Sequence, residues 1–256
     1  DSVTYASAAR NIYAHHSIVD FNQDFLIDFP VGYPIFLSIL LLLLKMDILT
    51  FAPIINGLLF AIIIFCSGRI TDNFISPSKW YKRIILSGIV LSPCLLEIYS
   101  MLWSETLFIL LLLLFFMAFY RYFKAHSINV LLVAAAIAGL SCITRYAGVT
   151  LIGAGVLLLL FDAALKWRKK IIHLILFTLI ASLLLFINLT RNFLLTHTLT
   201  GIREKGNTPL LNNIYYFGSV IDNWLTFIRD HHALILITGL LFITGFITVL
   251  FLRIIR

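Results

Sequence analysis

INVLLVAAAIAGLSCITRYAGVTLIGAGVLLLLF, residues 128–161, runs for 34 residues with a single charge, Arg145. As one helix it would be about 51 Å long, well past the roughly 30 Å hydrocarbon core of a bilayer. The run therefore predicts two antiparallel helices that turn near its middle, at Arg145. Seating a guanidinium at the bilayer centre costs about 2.5–3.5 kcal/mol even on lenient insertion scales, and a turn moves it to a membrane–water boundary where that cost falls. Two readings of Arg145 stand at this point. It snorkels and sets the position of the turn, or it faces a bound anion.

The rest of the chain has the same character. It is 61% hydrophobic and 12% charged, with a mean hydropathy of +1.02, where ordinary soluble domains carry about 25% charged residues. Apolar runs recur along its length, so the fold class expected is an all-α polytopic membrane protein. The sequence opens in a polar stretch without Met and ends at Arg256, directly after an apolar segment. It reads as an internal piece of a longer membrane protein. Cys66, Cys94 and Cys142 all fall in apolar runs, which argues for small buried hydrophobes rather than a disulfide framework or a zinc site. The net charge of +7 would suggest nucleic acid only if the basic residues clustered on a soluble face. They sit in short connections between apolar runs, so no nucleic-acid partner is expected and the bilayer is.

Seven spans are predicted, over 50–68, 84–102, 104–120, 128–143, 146–162, 171–189 and 233–252. The basic groups Arg69/Lys79/Lys82/Arg83, Arg121/Lys124, Lys166/Arg168/Lys169/Lys170 and Arg253/Arg256 fall in every second connection. The positive-inside rule places them together on the cytoplasmic side. That side then holds twelve basic and two acidic residues, and the outer side seven and ten. The run VGYPIFLSILLLLL, 31–44, does not fit as a span. It reaches only about 21 Å as a helix, and a crossing there would invert the parity. It is expected to lie in or dip into the outer interface without crossing. The organisation expected is a first outer loop with juxtamembrane helices (1–49), a helix bundle (50–189), an outer loop with an interfacial segment (190–232), and a last span with a cytoplasmic end (233–256).

Four outer segments then face one side. In DSVTYASAARNIYAHH (1–16), Asp1 and Ser2 suit a helix N-terminus, and Val3, Ala6, Ala9, Ile12 and Tyr13 recur at helical spacing. In DFNQDFLIDFPVGYP (20–34), Asp20, Asp24 and Asp28 would share a helical face; they form a solvated acidic face or hold a divalent cation. In EIYSMLWSETLF (97–108), Glu105 opens a helix after Ser104, as a group that complements the helix dipole or as a site carboxylate at the membrane edge. In the loop 190–232, Tyr215, Tyr216, Phe217, Trp224 and Phe227 suit an interface, and Arg191, His197 and Arg203 are candidate anion ligands. The adjacent pairs His15-His16 and His231-His232 point to different sides of a helix and make poor chelates. Asn188-Leu-Thr190 matches a glycosylation sequon but falls at the end of a span.

These segments, in this order, resemble the polytopic GT-C glycosyltransferases that use polyprenyl-phosphate-linked sugars, in the bacterial branch of protein O-mannosyltransferase-like and aminoarabinose–lipid A transferase-like proteins. DSVTYASAARNI resembles the family's Asp-x-x-x-Tyr-x-x-x-Ala/Ser-Arg segment, and FPVGYPIFLSIL its proline-led juxtamembrane helix. WSETLF resembles its acidic residue opening a span, and GLSCITRYAG its Gly-Leu-x-x-x-Thr-Lys/Arg turn. The likeness covers most of residues 1–200. Phe29 stands where many relatives carry lysine.

The resemblance implies a membrane glycosyltransferase that moves a sugar from a polyprenyl-phosphate donor to a glycan, lipid or protein acceptor, on the outer face of a bacterial inner membrane. It implies Asp1 as the catalytic carboxylate, taking the acceptor's proton in an inverting displacement. Arg145 would bind the lipid phosphate, since an arginine fork matches phosphate oxygens and stays charged. Arg191 and Arg203 are further candidates for that work. Tyr5, Tyr33, Glu105 and Tyr146, within the same motifs, are expected to contact substrate. The alternative class is a transporter or flippase of lipid-linked sugars, which inverted repeats or broken spans would favour. A structural or sensory subunit would leave the clustering on one face without a reason.

Overall fold

The structure, a computed structural model, describes residues 1–74, 79–201, 208–222 and 232–254. Among these residues the ordered elements are helices, and the only extended pairing is one bridge between Val19 and Phe25. In chain order the helices are α1 Ser2–His15, α2 Gly32–Leu44, α3 Ile48–Phe74, α4 Lys79–Val90, α5 Pro93–Ser100, α6 Glu105–Ala125, α7 Ile128–Thr144, α8 Val149–Leu160, α9 Trp167–Thr196, α10 Leu210–Asp222 and α11 His232–Ile254. The chain divides into two compact units, residues 1–90 with 98–203, and residues 91–97 with 204–256.

Seven spans are not found among the described residues. Among the described residues three helices, α3, α6 and α9, have the length and hydropathy to cross a membrane, or four if α4 and α5 count together as one broken span. The physical reasons are local. Residues 128–161 spend Arg145 and the 3-10 turn Tyr146–Gly148 on reversing the chain. This leaves helices of 17 and 12 residues, about 26 and 18 Å long. The expected span 84–102 is interrupted at Leu91 and Ser92, just before Pro93, because the residue before a proline is driven out of the helical region. The expected span 171–189 is the middle of a longer helix that runs on to Thr196.

The reversal at Arg145 is as expected. Arg145 caps α7 in an extended conformation (φ −148°, ψ 138°), and its N–H bonds the Ser141 carbonyl at 2.9 Å. Gly148 then lies against the last turn of α7, where a Cβ would fall 2.4 Å from the Cys142 nitrogen. At the far end of α8, Asp162 meets His126, which precedes α7, so the two helices are antiparallel. Small residues let α7, α8 and α9 approach closely, as in membrane bundles. Ala134, Ala135, Ala138 and Ala181 are buried with Phe115, Phe119 and Phe177 in one core, and a Cβ on Gly155 would meet the Phe177 ring at 2.3 Å. Cys66 and Cys142 are buried and all three cysteines are free thiols.

A second core joins α1, α2 and the start of α3 through Tyr5, Ala9, Tyr33, Leu37, Ile48 and Phe51. Both ends of α2 are tied to α1. Tyr33 packs edge-on to Tyr5 with centroids 5.1 Å apart, and Asp47, just past α2, pairs with Arg10 at 2.7 Å. Asp47 also accepts the Leu49 N–H at 3.1 Å, so it caps α3, and these contacts hold its carboxyl below the usual range, the Arg10 hydrogen bond first. At 13 residues, about 20 Å, α2 is too short to cross. We expect Asn22→Cys and Met46→Cys, each in a background lacking Cys66, Cys94 and Cys142, to react with an impermeant thiol reagent from the same side of the membrane. Labelling from opposite sides would make α2 a span.

In the second unit, α10 is an amphipathic helix bearing Tyr215, Tyr216 and Phe217, the aromatics read from the sequence as interfacial. It packs on α11 through Gly218, where a Cβ would lie 2.1 Å from the Ile235 carbonyl oxygen. Arg203, Trp224, Phe227 and His231 lie outside the described residues.

Candidate functional site

The turn after α7, the start of α6 and the start of α1 meet at one end of the bundle. Glu105 is the first residue of α6 and Ser104 its N-cap, but the Ser104 hydroxyl does not cap the helix. It bonds the Tyr5 phenol at 3.1 Å and accepts from Arg145 Nη1 at 3.1 Å. Arg145 Nη1 also pairs with Glu105 Oε1, with both side chains about one-third exposed. The guanidinium therefore uses one nitrogen for both protein contacts. Its Nε and Nη2 edge carries no protein hydrogen bond among the described residues. Beneath this pair lies an aromatic floor. Tyr5 is 2% and Tyr33 1% exposed, and Phe29 packs on Tyr5 at 5.2 Å. Burial pushes both phenols above their usual range, so they serve as neutral hydroxyls. The approach of α2 depends on Gly32, where a Cβ would lie 2.6 Å from the Ile143 carbonyl oxygen.

Adjoining it is a second network. The Tyr146 phenol donates to the Ile27 carbonyl at 3.4 Å and accepts from the Asn188 and Asn192 amides at 3.3 and 3.2 Å. Asn192 also donates to the Leu199 carbonyl at 2.9 Å. Arg191 donates to the Leu26 carbonyl at 2.9 Å, to Ile18 at 3.1 Å and to Asn192 Oδ1 at 3.0 Å. Arg191 thus fastens the segment 18–27 to α9. We expect Arg191→Gln to expose this segment to protease and lower thermal stability by about 2–3 kcal/mol, since bonds to charged donors are worth ~1.5–3 kcal/mol each. An unchanged digestion pattern would mean that these bonds do not hold the segment in place.

The sequence-predicted residues therefore separate. Tyr5, Tyr33, Glu105 and Arg145 form one cluster, and Tyr146 joins Arg191 beside it. Asp1 occupies the N-cap of α1, is exposed, and makes no side-chain capping bond. It lies one helical turn before Tyr5, on the same face. Asp20, Asp24 and Asp28 do not share a helical face, because residues 17–31 are not helical and Asp20 instead accepts the Asn22 and Asp24 N–H groups at 2.7 and 3.1 Å in a short turn. No group of three His, Cys, Asp or Glu side chains draws together among the described residues, so a divalent cation has no evident seat there. His16 and His197 occupy left-handed C-cap positions (φ 52° and 57°), and Asn188 of the sequon is buried inside α9.

Sequence reasoning missed Ser104, Asn188 and Asn192 as members of this site. A signal existed for the last two: amides four residues apart in an apolar helix face one side and need partners. The comparisons add no relative, for no family model, curated protein or solved structure matches the chain.

Proposed function

We propose that this chain is an integral-membrane glycosyltransferase that takes a sugar from a polyprenyl-phosphate donor, in the manner of the GT-C enzymes its motifs resemble. The observation that carries the reading is the Arg145 guanidinium, held by Glu105 and Ser104 through Nη1, with its Nε and Nη2 edge bonded to no protein acceptor among the described residues. That edge is a side-on fork for two phosphate oxygens, at the end of the membrane-length helix α6, where a lipid-borne phosphate arrives. As the bond to the sugar breaks, charge develops on the leaving phosphate, and a preorganised arginine stabilises it. The proton of the acceptor hydroxyl passes to Asp1, on the face of α1 that carries Tyr5. The active face is the outer face of a bacterial inner membrane, and the acceptor is a glycan, lipid or protein.

The test is incubation of the full-length protein in membranes with a panel of polyprenyl-phosphate sugars, read by mass spectrometry. Transfer of one sugar is expected; no transfer from any donor by folded protein overturns the enzyme. The interruption between α4 and α5 favours a second reading, a transporter or flippase of lipid-linked sugars, because broken spans are a feature of transporters. Movement of a labelled donor across the bilayer without transfer of its sugar would select it.

A further inference from the structure

At the opposite end of the bundle, α3 and α6 finish beside each other around a cleft of about 220 Å³ lined by Arg69 and Asn73 from α3 and by Met117, Tyr120, Arg121 and Lys124 from α6. Three cations thus face one small space with no acidic residue in its lining. Neighbouring basic groups have partners: Lys82 pairs with Asp72 at 2.7 Å, and Lys170 donates to the Leu160 carbonyl at 2.9 Å. Arg69 and Arg121 have no ion pair or hydrogen bond among the described residues, and Lys124 has only the Tyr120 ring, 4.3 Å from its Nζ. Like charges drawn together repel unless an anion sits among them. Positive-inside orientation needs basic residues on this side, but it does not need three of them in one cleft.

We propose that this cleft binds the phosphate headgroup of an anionic phospholipid. The reason for a lipid rather than a soluble anion is what borders the cations. Met117 lies one turn along α6 from Arg121, toward the span interior. On α3, Phe65 and Ile62 follow Arg69 at helical spacing toward the interior, and they are 67% and 43% exposed. Phe116 on α6 is 46% exposed. Cations at the end of two membrane-length helices, continued by exposed apolar side chains, match a molecule with a charged head and a hydrocarbon tail. Asn73 supplies an amide donor to a headgroup oxygen. This site is separate from the Arg145 cluster and does not depend on the activity proposed there.

The experiment reconstitutes the full chain in phosphatidylcholine bilayers with and without phosphatidylglycerol and measures lipid retained after extraction, by native mass spectrometry. Wild type should retain phosphatidylglycerol in preference to phosphatidylcholine. Arg69→Gln/Arg121→Gln should lower that retention roughly thirty-fold, as the loss of two basic contacts to an anionic lipid predicts. Lys166→Gln/Arg168→Gln, which removes the same charge elsewhere at this end, should leave it unchanged. Equal losses in the two double variants would mean a diffuse surface field and overturn the site, as would retention that ignores headgroup charge. Displacement of phosphatidylglycerol by inorganic phosphate at modest concentration would mean a soluble anion and overturn the lipid assignment. Should Arg69→Gln/Arg121→Gln fail to fold, Lys124→Gln, at an exposed residue that gives up only its contact with the Tyr120 ring, reads the same loss at about a few-fold.

Discussion

Arg145→Gln is expected to weaken binding of the proposed polyprenyl-phosphate sugar donor by about one to two decades, and Arg145→Lys by less. Charged hydrogen bonds are worth ~1.5–3 kcal/mol each, and lysine keeps the charge while losing the fork. The Arg145–Glu105 pair complicates a single substitution, since Arg145→Gln also strands the Glu105 carboxylate, about one-third exposed and without its cation. Removing one partner of such a pair costs more than removing both. The double variant Arg145→Gln/Glu105→Gln should therefore recover much of the lost thermal stability yet bind donor no better than Arg145→Gln alone. Donor titrations and unfolding in one detergent separate the two effects. If titrations of wild type, Arg145→Lys and Arg145→Gln overlay in folded protein, the arginine serves the turn and its neighbours only.

Asp1→Asn should lower turnover by about two to four decades, the range removed with a general base, while leaving the fold in place. The structural half follows from the geometry. The Asp1 side chain makes no capping bond, and its backbone carbonyl, which accepts the Tyr5 N–H at 2.9 Å, is kept by the substitution. Asparagine is also as good an N-cap as aspartate. Donor affinity should barely move, because the lost group acts on the acceptor. Single-turnover kinetics against donor binding in the full-length protein make the check. Near-normal turnover would pass the carboxylate's role to Glu97 or Glu105, and Glu105 would then have to act while paired with Arg145.

The break at Leu91 and Ser92 shows where hydropathy alone misleads. Residues 84–102 are apolar enough to span, but Pro93 interrupts them, and mean hydropathy is blind to a backbone interruption. The same blindness inflated the number of spans from 128 to 161. An apolar run shows that a segment avoids water, and only the helix ends show how far it reaches.

The sequence by itself determined what depends on neighbours along the chain: the all-helical class, the reversal at Arg145, the shortness of α2, and Glu105 opening α6 after Ser104. These follow from length, periodicity and capping, which act over a few residues. Tertiary structure alone decided which polar groups meet. Arg145 finds Glu105, forty positions away, and shares Ser104 with Tyr5, while Arg191 turns to the carbonyls of Leu26 and Ile18. Nothing in the spacing of two arginines separates one that holds a loop from one that keeps an edge open. The difference lies in which acceptors packing brings within about 3 Å, because a half-buried guanidinium bonds whatever acceptor is near.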